Sequence, residues 1–121
     1  KHKFSSKKKT LLIEPIKVKH GKINSILYKI NNSCAYASDV SLIYKKDLSK
    51  LKNLKYLVVD CLRFDPHPSH FNLDDVLKLV NFIKPKKTIL TNMSNEIDYL
   101  KVQKFLPKNV IPAYDGMSFL I

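Results

Sequence analysis

The stretch YLVVDCLRFDPHPSHFNLDDVLKLVNFI, residues 56–83, contains the patterns that decide the fold class. It begins with an uninterrupted apolar run before Asp60, which is typical of a strand buried on both faces of a sheet. It ends with apolar residues at helical spacing, and Asn72 or Asp74 stands where an amphipathic helix begins. Two prolines break the segment between them, which predicts an irregular loop over 63–70. A strand, a loop and a helix in this order form the unit of an α/β protein.

Upstream of this stretch, alternating apolar residues predict a meander of antiparallel strands followed by one helix. Turn signals, among them His20-Gly21-Lys22, separate the strands. Asp47 precedes an apolar period and is predicted to cap the helix. The predicted strands cover 11–18, 23–30 and 34–37, and the predicted helix covers 47–54.

Downstream, Pro85 is expected to end the long helix, because proline cannot continue the helical hydrogen bonds. The remaining pattern predicts one more strand–helix unit and a closing pair of strands around an Asp115-Gly116 turn. The predicted strands are 88–90, 110–112 and 117–121, and the predicted helix is 96–105. This order indicates an α/β or α+β fold with helices packed on the connections between strands.

The chain is strongly basic: 22 Lys and Arg residues stand against 10 acids, which gives a formal charge of +12. Its 121 residues support one domain or part of a larger one, and 45% hydrophobic residues argue against disorder. Segment 1–10 is a basic leading segment, expected either to be a solvated end or to contact an anionic surface such as nucleic acid. Arg63 is the chain's single arginine, which favours the solvated end, since planar guanidinium groups recognise phosphates and bases better than lysine does.

Several classes of chemistry are excluded by what the sequence lacks. Two glycines cannot build a Rossmann or Walker phosphate loop, and neither CxxC nor HExxH occurs. Cys34 and Cys61 adjoin apolar residues and are expected to be buried free thiols, which fits a reducing compartment and predicts a cytoplasmic protein. No apolar run approaches the roughly 18–20 residues of a membrane helix, so no membrane association is expected.

Polar side chains that follow predicted strands are the candidates for a functional site, because ligands of such sheets bind at the ends of strands. Imidazole with carboxylate suits Zn, Mn or Fe, and His20 with Asp39 offers that pair. His67 and His70 could share a metal, although a histidine pair alone fixes little. Asp60 has two equally supported roles: it caps the loop that follows, or it takes part in the chemistry of the site.

Five segments, taken together, resemble the C-terminal half of the metallo-β-lactamase-fold, metal-dependent hydrolases. The branch they resemble comprises phosphoribosyl cyclic phosphate phosphodiesterases and RNase Z-like enzymes. The segments are HGKINSILYKI (20–30), AYASDV (35–40), VVDCLRFDPHPSHFNLDDVLKLV (58–80), KPKKTILTNMSNEIDY (84–99) and PAYDGM (112–117). The resemblance implies that residues 11–121 form part of an αββα fold, a mixed sheet with helices on one face, whose N-terminal half is missing.

The resemblance also implies roles for five residues. His20 is matched to a metal ligand, and Asp39 to the carboxylate that bridges two metal ions. His70 is matched to the histidine near the scissile phosphate, which stabilises it or protonates the leaving oxygen. Asp60 and Asn92 would hold the residues that contact metal or substrate in position, without contacting the metal themselves. The implied cofactor is zinc or manganese, and the implied substrate is a phosphodiester.

Two departures from the family pattern are visible: the HxHxDH motif is absent, and Asn92 and Asn95 stand where the family has histidines. We therefore expect a fragment or a degenerate member, incomplete or inactive as an isolated chain. A second chain could supply the HxHxDH half, or a homo-oligomer could cover the apolar face that half a sandwich exposes. The alternative is a small basic RNA- or protein-binding module that reuses the half-fold without catalysis.

Overall fold

A computed structural model describes residues 1–6 and 9–121, which form a seven-stranded sheet in the order β1-β2-β3-β4-β5-β6-β7. Strands β1 to β4 pair antiparallel, and β4 to β7 pair parallel. The strands are β1 His2–Ser6, β2 Lys9–His20, β3 Ile23–Ile30, β4 Cys34–Ala37, β5 Tyr56–Asp60, β6 Lys87–Thr91 and β7 Val110–Pro112. The helices are a 3-10 helix at Lys45–Leu51, α1 at Leu73–Ile83 and α2 at Tyr99–Gln103.

The three helices connect the parallel strands, one in each connection from β4 to β7. Since such crossovers are almost always right-handed and these all progress in one direction, the helices lie on the same face of the sheet. The mixed α/β sheet with helices on one face, expected from the sequence, is confirmed.

The hydrophobic core lies between this face and the helices. Cross-strand neighbours such as Ala35, Leu57 and Val110 are buried on the sheet, and Val76 is buried on α1. Each fully buried aliphatic side chain contributes about 1.5–3 kcal/mol relative to exposure. The core therefore fixes the positions of the loops that follow the strands.

Helix α1 is capped by Asn72, one of the two residues predicted to begin it, and a complete capping box forms there. The Asn72 side chain accepts from the Asp75 backbone N–H at 2.9 Å, and the Asp75 carboxylate accepts from the Asn72 backbone N–H at 3.1 Å. Such a cap is worth about 1 kcal/mol. The helix ends at Ile83, just before Lys84 adopts a left-handed conformation with φ of 50°. The start of the helix in turn fixes the end of the preceding loop.

The face of the sheet opposite the helices carries exposed aromatic residues. Tyr28 pairs with Tyr36 in the β3–β4 register, and 45% and 42% of their surfaces are exposed. Tyr36 pairs in turn with Val58 on β5, and Tyr56, two residues before Val58, lies on the same face of the sheet. We call Tyr28, Tyr36, Tyr56 and Val58 the open face. Nothing among the described residues covers its two exposed tyrosines.

Two predicted helices differ from the observed ones. The helix expected at 47–54 is a 3-10 helix, and Asp47 is not its cap but lies in its first turn, paired with Lys50 at 2.7 Å. A short helix fits because Asn53, with φ of 62°, redirects the chain into β5. The helix expected at 96–105 covers only five residues, and Asp98 caps it by accepting from the Lys101 backbone N–H.

The predicted closing strand at 117–121 is wrong. The turn at Asp115-Gly116 is present, but the residues after it form no strand. Instead, the Phe119 ring packs against the Tyr56 ring with centroids 4.4 Å apart. Residues 117–121 therefore cover part of the Tyr56 ring on the open face and do not add a strand next to β7.

The basic leading segment contributes a strand to the sheet, and the side chains of residues 1–3 are exposed to solvent. Strand β1 pairs with β2, with His2 opposite Ile13, and Lys1 lies 3.9 Å from Glu14. Residues 7 and 8 of this segment lie outside the described residues. None of the described helices is long and apolar enough to cross a membrane.

Both cysteines are buried free thiols, as expected, and we predict that they do not react in the folded protein. Burial raises the pKa of both thiols, and for Cys61, with the nearby Asp60 carboxylate adding to the effect, to about 12. Because the thiolate is the reactive form, labelling by a disulfide reagent at pH 8 should be slow in buffer and complete in urea. A Cys34→Ala variant assigns the remaining signal to Cys61. Rapid labelling of that variant without denaturant would contradict the prediction.

Candidate functional site

Three candidate side chains from separate parts of the sequence converge at one edge of the sheet. His20 ends β2, Asp39 follows β4, and His70 lies in the loop between β5 and α1. One ligand atom from each lies within 4.8 Å of the others, and the two imidazole centroids are 4.7 Å apart. We call His20, Asp39 and His70 the edge cluster. The sequence pattern paired His20 with Asp39 at strand ends and reached His70 only through the family resemblance, and the structure brings all three together.

The His20 ring is fixed by the loop before α1. Its Nδ1 lies 2.6 Å from the Ser69 carbonyl oxygen, which can only accept, so Nδ1 carries the proton and Nε2 keeps its lone pair. Next to it, the Gly21 backbone N–H donates to Ser41 Oγ at 2.9 Å. Gly21 has φ of +62°, and a Cβ there would lie 2.5 Å from Ser69 Oγ. The β2–β3 turn and the histidine loop are thus in direct contact.

The His70 ring is held by a buried carboxylate. His70 Nδ1 lies 2.5 Å from Asp60 Oδ2, and that oxygen also accepts from the Val40 backbone N–H at 3.0 Å. Asp60 is fully buried, and its Oδ1 has no hydrogen-bond partner among the described residues. The same Nδ1 lies 4.0 Å from Asp39 Oδ1, and its bond to Asp60 leaves Nε2 as the ring nitrogen available to a ligand, an arrangement typical of catalytic and metal-binding histidines.

Burial raises the pKa of Asp60 above its usual value, although the hydrogen bonds from His70 and Val40 oppose the shift. A carboxyl whose pKa is raised by folding favours the fold at low pH, and that contribution disappears as the pH rises through the folded-state pKa. The charged form of Asp60 is therefore the form that folding disfavours. The same carboxylate oxygen bonds both the Val40 backbone and the His70 ring, so the contacts of Asp60 include a loop and a candidate site residue.

Asp39 is the exposed member of the cluster, and a neighbouring amide orients it. Asn92 Nδ2 donates to Asp39 Oδ1 at 3.2 Å and to Ser38 Oγ at 3.3 Å. Asp39 and Asn92 both have left-handed backbone conformations, with φ of 51° and 58°. Asp and Asn tolerate this region better than other residues, and such conformations concentrate at functional sites.

His67 is close to the cluster but oriented differently. Its Nδ1 accepts from the Ser69 backbone N–H at 3.1 Å, and its ring centroid lies 5.1 Å from that of His70. Partial burial lowers its pKa, as do the charges of Arg63 and His70. The Ser69 N–H takes up the Nδ1 lone pair of His67, and His67 is not among the three described residues whose ligand atoms converge. The structure therefore gives no support to the alternative that His67 and His70 share a metal through this loop alone.

Sequence reasoning missed Ser41 and Ser69, which hold the turn and the ring of His20. Ser69 acts through its backbone, so its side-chain type carries no signal. Gly21 was identified only as a turn residue, and its tight approach to Ser69 is visible only in three dimensions.

The donors present fit one divalent metal ion. Two imidazole Nε2 atoms and one carboxylate are ligand types used by Zn, Mn and Fe, and three protein ligands leave room for water or substrate. Ser69, Asp60 and Asn92 hold the three donors by hydrogen bonds, as outer residues commonly do at metal sites. His20 and Asp39, matched by resemblance to metal ligands, are part of this set.

Two clefts flank the site. One has a volume of about 470 Å³ and includes Asn92, which contacts Asp39. The other has a volume of about 440 Å³ and includes His20 and Ser69. Both are open to solvent and adjoin the cluster, so groups attached to a bound anion could extend into either.

Comparison with known proteins gives relatives that are longer than this chain. No protein-family model matches. An octanoyltransferase of Porphyromonas gingivalis (strain ATCC BAA-308 / W83) is 26% identical over 113 residues, which are 92% of this chain and 23% of that protein. The chain thus spans less than a quarter of the curated relative that it matches.

Three solved structures match with high similarity of fold. A diphosphatase of the PhnP family has a TM-score of 0.86 and 30% identity over 90% of this chain and 43% of its own. The metallo-β-lactamase fold protein YhfI of Bacillus subtilis has a TM-score of 0.75 and 15% identity, and the match covers 96% of this chain and 51% of that protein. Human tRNase Z, short form, has a TM-score of 0.70 and 14% identity, and the match covers 94% of this chain and 42% of that protein. The chain corresponds to about half of each structure.

We predict that Gly21→Ala loosens the site more than Gly116→Ala does. Both glycines have positive φ, at +62° and +85°, so both variants carry a backbone cost of about 1 kcal/mol. Only at Gly21 would the new methyl collide with Ser69, whereas no atom lies within 4 Å at Gly116. Urea denaturation should therefore show a larger loss for Gly21→Ala, and NMR should show displaced His20 and His67 ring signals. Equal stability losses, with unmoved ring signals, would contradict this contact.

Proposed function

Because this chain has the metallo-β-lactamase fold over about half the length of its solved neighbours, we propose that it contributes half of the site of a metal-dependent phosphodiester hydrolase. The observation that carries the proposal is the convergence of His20, Asp39 and His70 at one sheet edge. The names of two neighbours, a diphosphatase and a tRNase, agree with chemistry on phosphate esters. Zinc or manganese is the proposed metal.

His20 Nε2 and an Asp39 oxygen would hold the metal ion. A divalent ion of this kind supplies Lewis acidity toward a phosphate oxygen and toward attacking water. Asn92 fixes the direction of Asp39, and Ser69 fixes the ring of His20, so neither side chain must reorganise when an ion arrives. The outward exposure of Asp39 leaves the cluster accessible to a phosphodiester.

His70 is the residue that we assign to the reacting phosphate. Its Nδ1 is held by Asp60, so Nε2 is the ring nitrogen left to contact a phosphate oxygen. When the ring is protonated, Nε2 can donate its proton to the leaving oxygen as the P–O bond breaks. The Asp60 carboxylate stabilises the imidazolium and keeps the ring in place, as the carboxylate of a catalytic triad does.

The described residues supply fewer ligands than the family pattern. Asn92 occupies a position where the resemblance calls for histidine, and an amide is a weaker zinc ligand than imidazole. Metal affinity falls with ligand count, so we propose that this chain alone binds metal weakly and turns over little or no substrate. The module that binds RNA or protein without catalysis gains no support from the neighbours.

We propose that a second sheet covers the open face and brings the HxHxDH ligands to the same edge. The open face is apolar and aromatic, and soluble proteins rarely leave a large surface of this kind exposed. The covering sheet would come from further sequence of the same polypeptide or from a separate chain. A second copy of this chain could cover the face as a homo-oligomer without completing the ligand set.

The metal proposal predicts that His20→Ala and Asp39→Ala weaken zinc binding, whereas His2→Ala does not. His20 and Asp39 belong to the edge cluster, whereas His2 is exposed on β1 and serves as the matched control. Each cluster variant should lose tenfold or more, on the order of the losses seen when metal-site residues are removed. Competition with a chromophoric chelator measures affinity, and bis(p-nitrophenyl) phosphate measures hydrolysis on the same sample. Equal affinity of Asp39→Ala and His2→Ala would refute the assignment.

The open-face proposal predicts that the isolated chain associates through Tyr36. Tyr36→Lys should reduce self-association and dye binding to apolar surface, because it places a charge in the centre of the open face. Leu100→Lys, at a position 71% exposed on α2, is the control and should change neither. Sedimentation velocity at several concentrations measures the association. A wild-type chain that stays monomeric and binds no dye would show that the face needs no cover.

A further inference from the structure

We propose that His67 is a substrate-binding residue, which donates its Nε2–H to an anionic oxygen of the phosphodiester held at the edge cluster. This inference rests on the proposed function. Sequence reasoning weighed His67 only as a metal partner of His70. The hydrogen bonds around Ser69 give His67 a different chemical character from the other two histidines.

One residue sets opposite tautomers in two histidines. The Ser69 carbonyl accepts from His20 Nδ1 at 2.6 Å, which leaves His20 Nε2 as an acceptor. The Ser69 backbone N–H, which can only donate, points at His67 Nδ1 at 3.1 Å. The neutral His67 ring must therefore carry its proton on Nε2. His20 thus offers a lone pair suited to a metal, and His67 offers an N–H suited to an anion.

The position of His67 places this donor beside the reacting centre. The His70 ring is the common neighbour of the other two, with its centroid 4.7 Å from that of His20 and 5.1 Å from that of His67. A phosphodiester held by the metal ligands and His70 is therefore close to the His67 ring. His67 would then contact an oxygen of the same phosphate group.

The loop is braced so that the donor keeps its place. Arg63 Nη2 donates to the Pro66 carbonyl at 2.7 Å, and Arg63 Nε donates to the Asp65 carbonyl at 3.3 Å. The guanidinium is near enough to lower the pKa of His67, although partial burial is the larger cause. The same positive charge attracts an anion toward His67.

The tautomers can be read directly by NMR. Two-bond ¹H–¹⁵N correlation spectra of the histidine-labelled 121-residue chain distinguish Nδ1–H from Nε2–H rings. We expect the Nε2–H pattern for His67 and the Nδ1–H pattern for His20 at neutral pH. Single His→Ala variants assign the signals. An Nδ1–H pattern for His67 would overturn the proposal without reference to activity.

The binding role is tested with dimethyl phosphate on the zinc-loaded chain. His67→Ala should weaken binding by roughly tenfold or more, as expected for a lost hydrogen bond to a charged group. His67→Gln, which places an amide N–H near the former Nε2, should recover part of the affinity. Zinc affinity should stay unchanged in both variants, and His2→Ala should behave as wild type in every assay.

The outcomes separate this inference from the proposed function. If wild type binds dimethyl phosphate and His67→Ala binds it equally well, the role of His67 is refuted and the hydrolase proposal stands. If zinc affinity falls in His67→Ala as far as in His20→Ala, His67 is a ligand and the inference is wrong. If zinc-loaded wild type binds no phosphodiester at all, both proposals fail together.

Discussion

The site depends on the hydrogen bonds that the buried carboxylate of Asp60 accepts. It ends a core strand, accepts from the Val40 backbone N–H, and fixes the ring of His70. Through these two contacts it joins β5 to the segment after β4 and to the loop before α1. Its raised pKa shows that folding works against its charge. A residue that costs stability and orients a reactive group fits the general finding that functional sites oppose stability.

Ser69 performs a comparable task, mainly through its backbone. Its carbonyl and its N–H fix two histidine rings in opposite tautomers, and its side chain packs against Gly21. Three contacts at one residue make the loop and the β2–β3 turn a single unit. The site is therefore positioned by backbone groups that the capping box of α1 and the core strands hold in place.

The sequence predicted the parts of this structure that depend on local pattern. The buried strand before Asp60 and the cap of α1 follow from apolar runs and side-chain chemistry over a few residues. The closing strand at 117–121 was predicted wrongly because Phe119 packs on Tyr56, a contact between distant residues. The positions of His20 and Asp39 after predicted strands indicated that the two residues meet. No sequence pattern predicts which ring nitrogen of a histidine faces Ser69.

The position of Asn92 connects the electrostatics of the site to the open face. A histidine there would add a ligand, whereas the amide spends its N–H on Asp39 and orients it. The side chains of the edge cluster are thus well oriented but supply few metal ligands. The open face is formed, but no described residue packs over the exposed parts of its two tyrosines. A single element that packs on Tyr28 and Tyr36 and reaches the edge would supply buried area and ligands at once. Completion of the fold and completion of the metal site would then be one binding event, since metal and packing would favour the same assembled state.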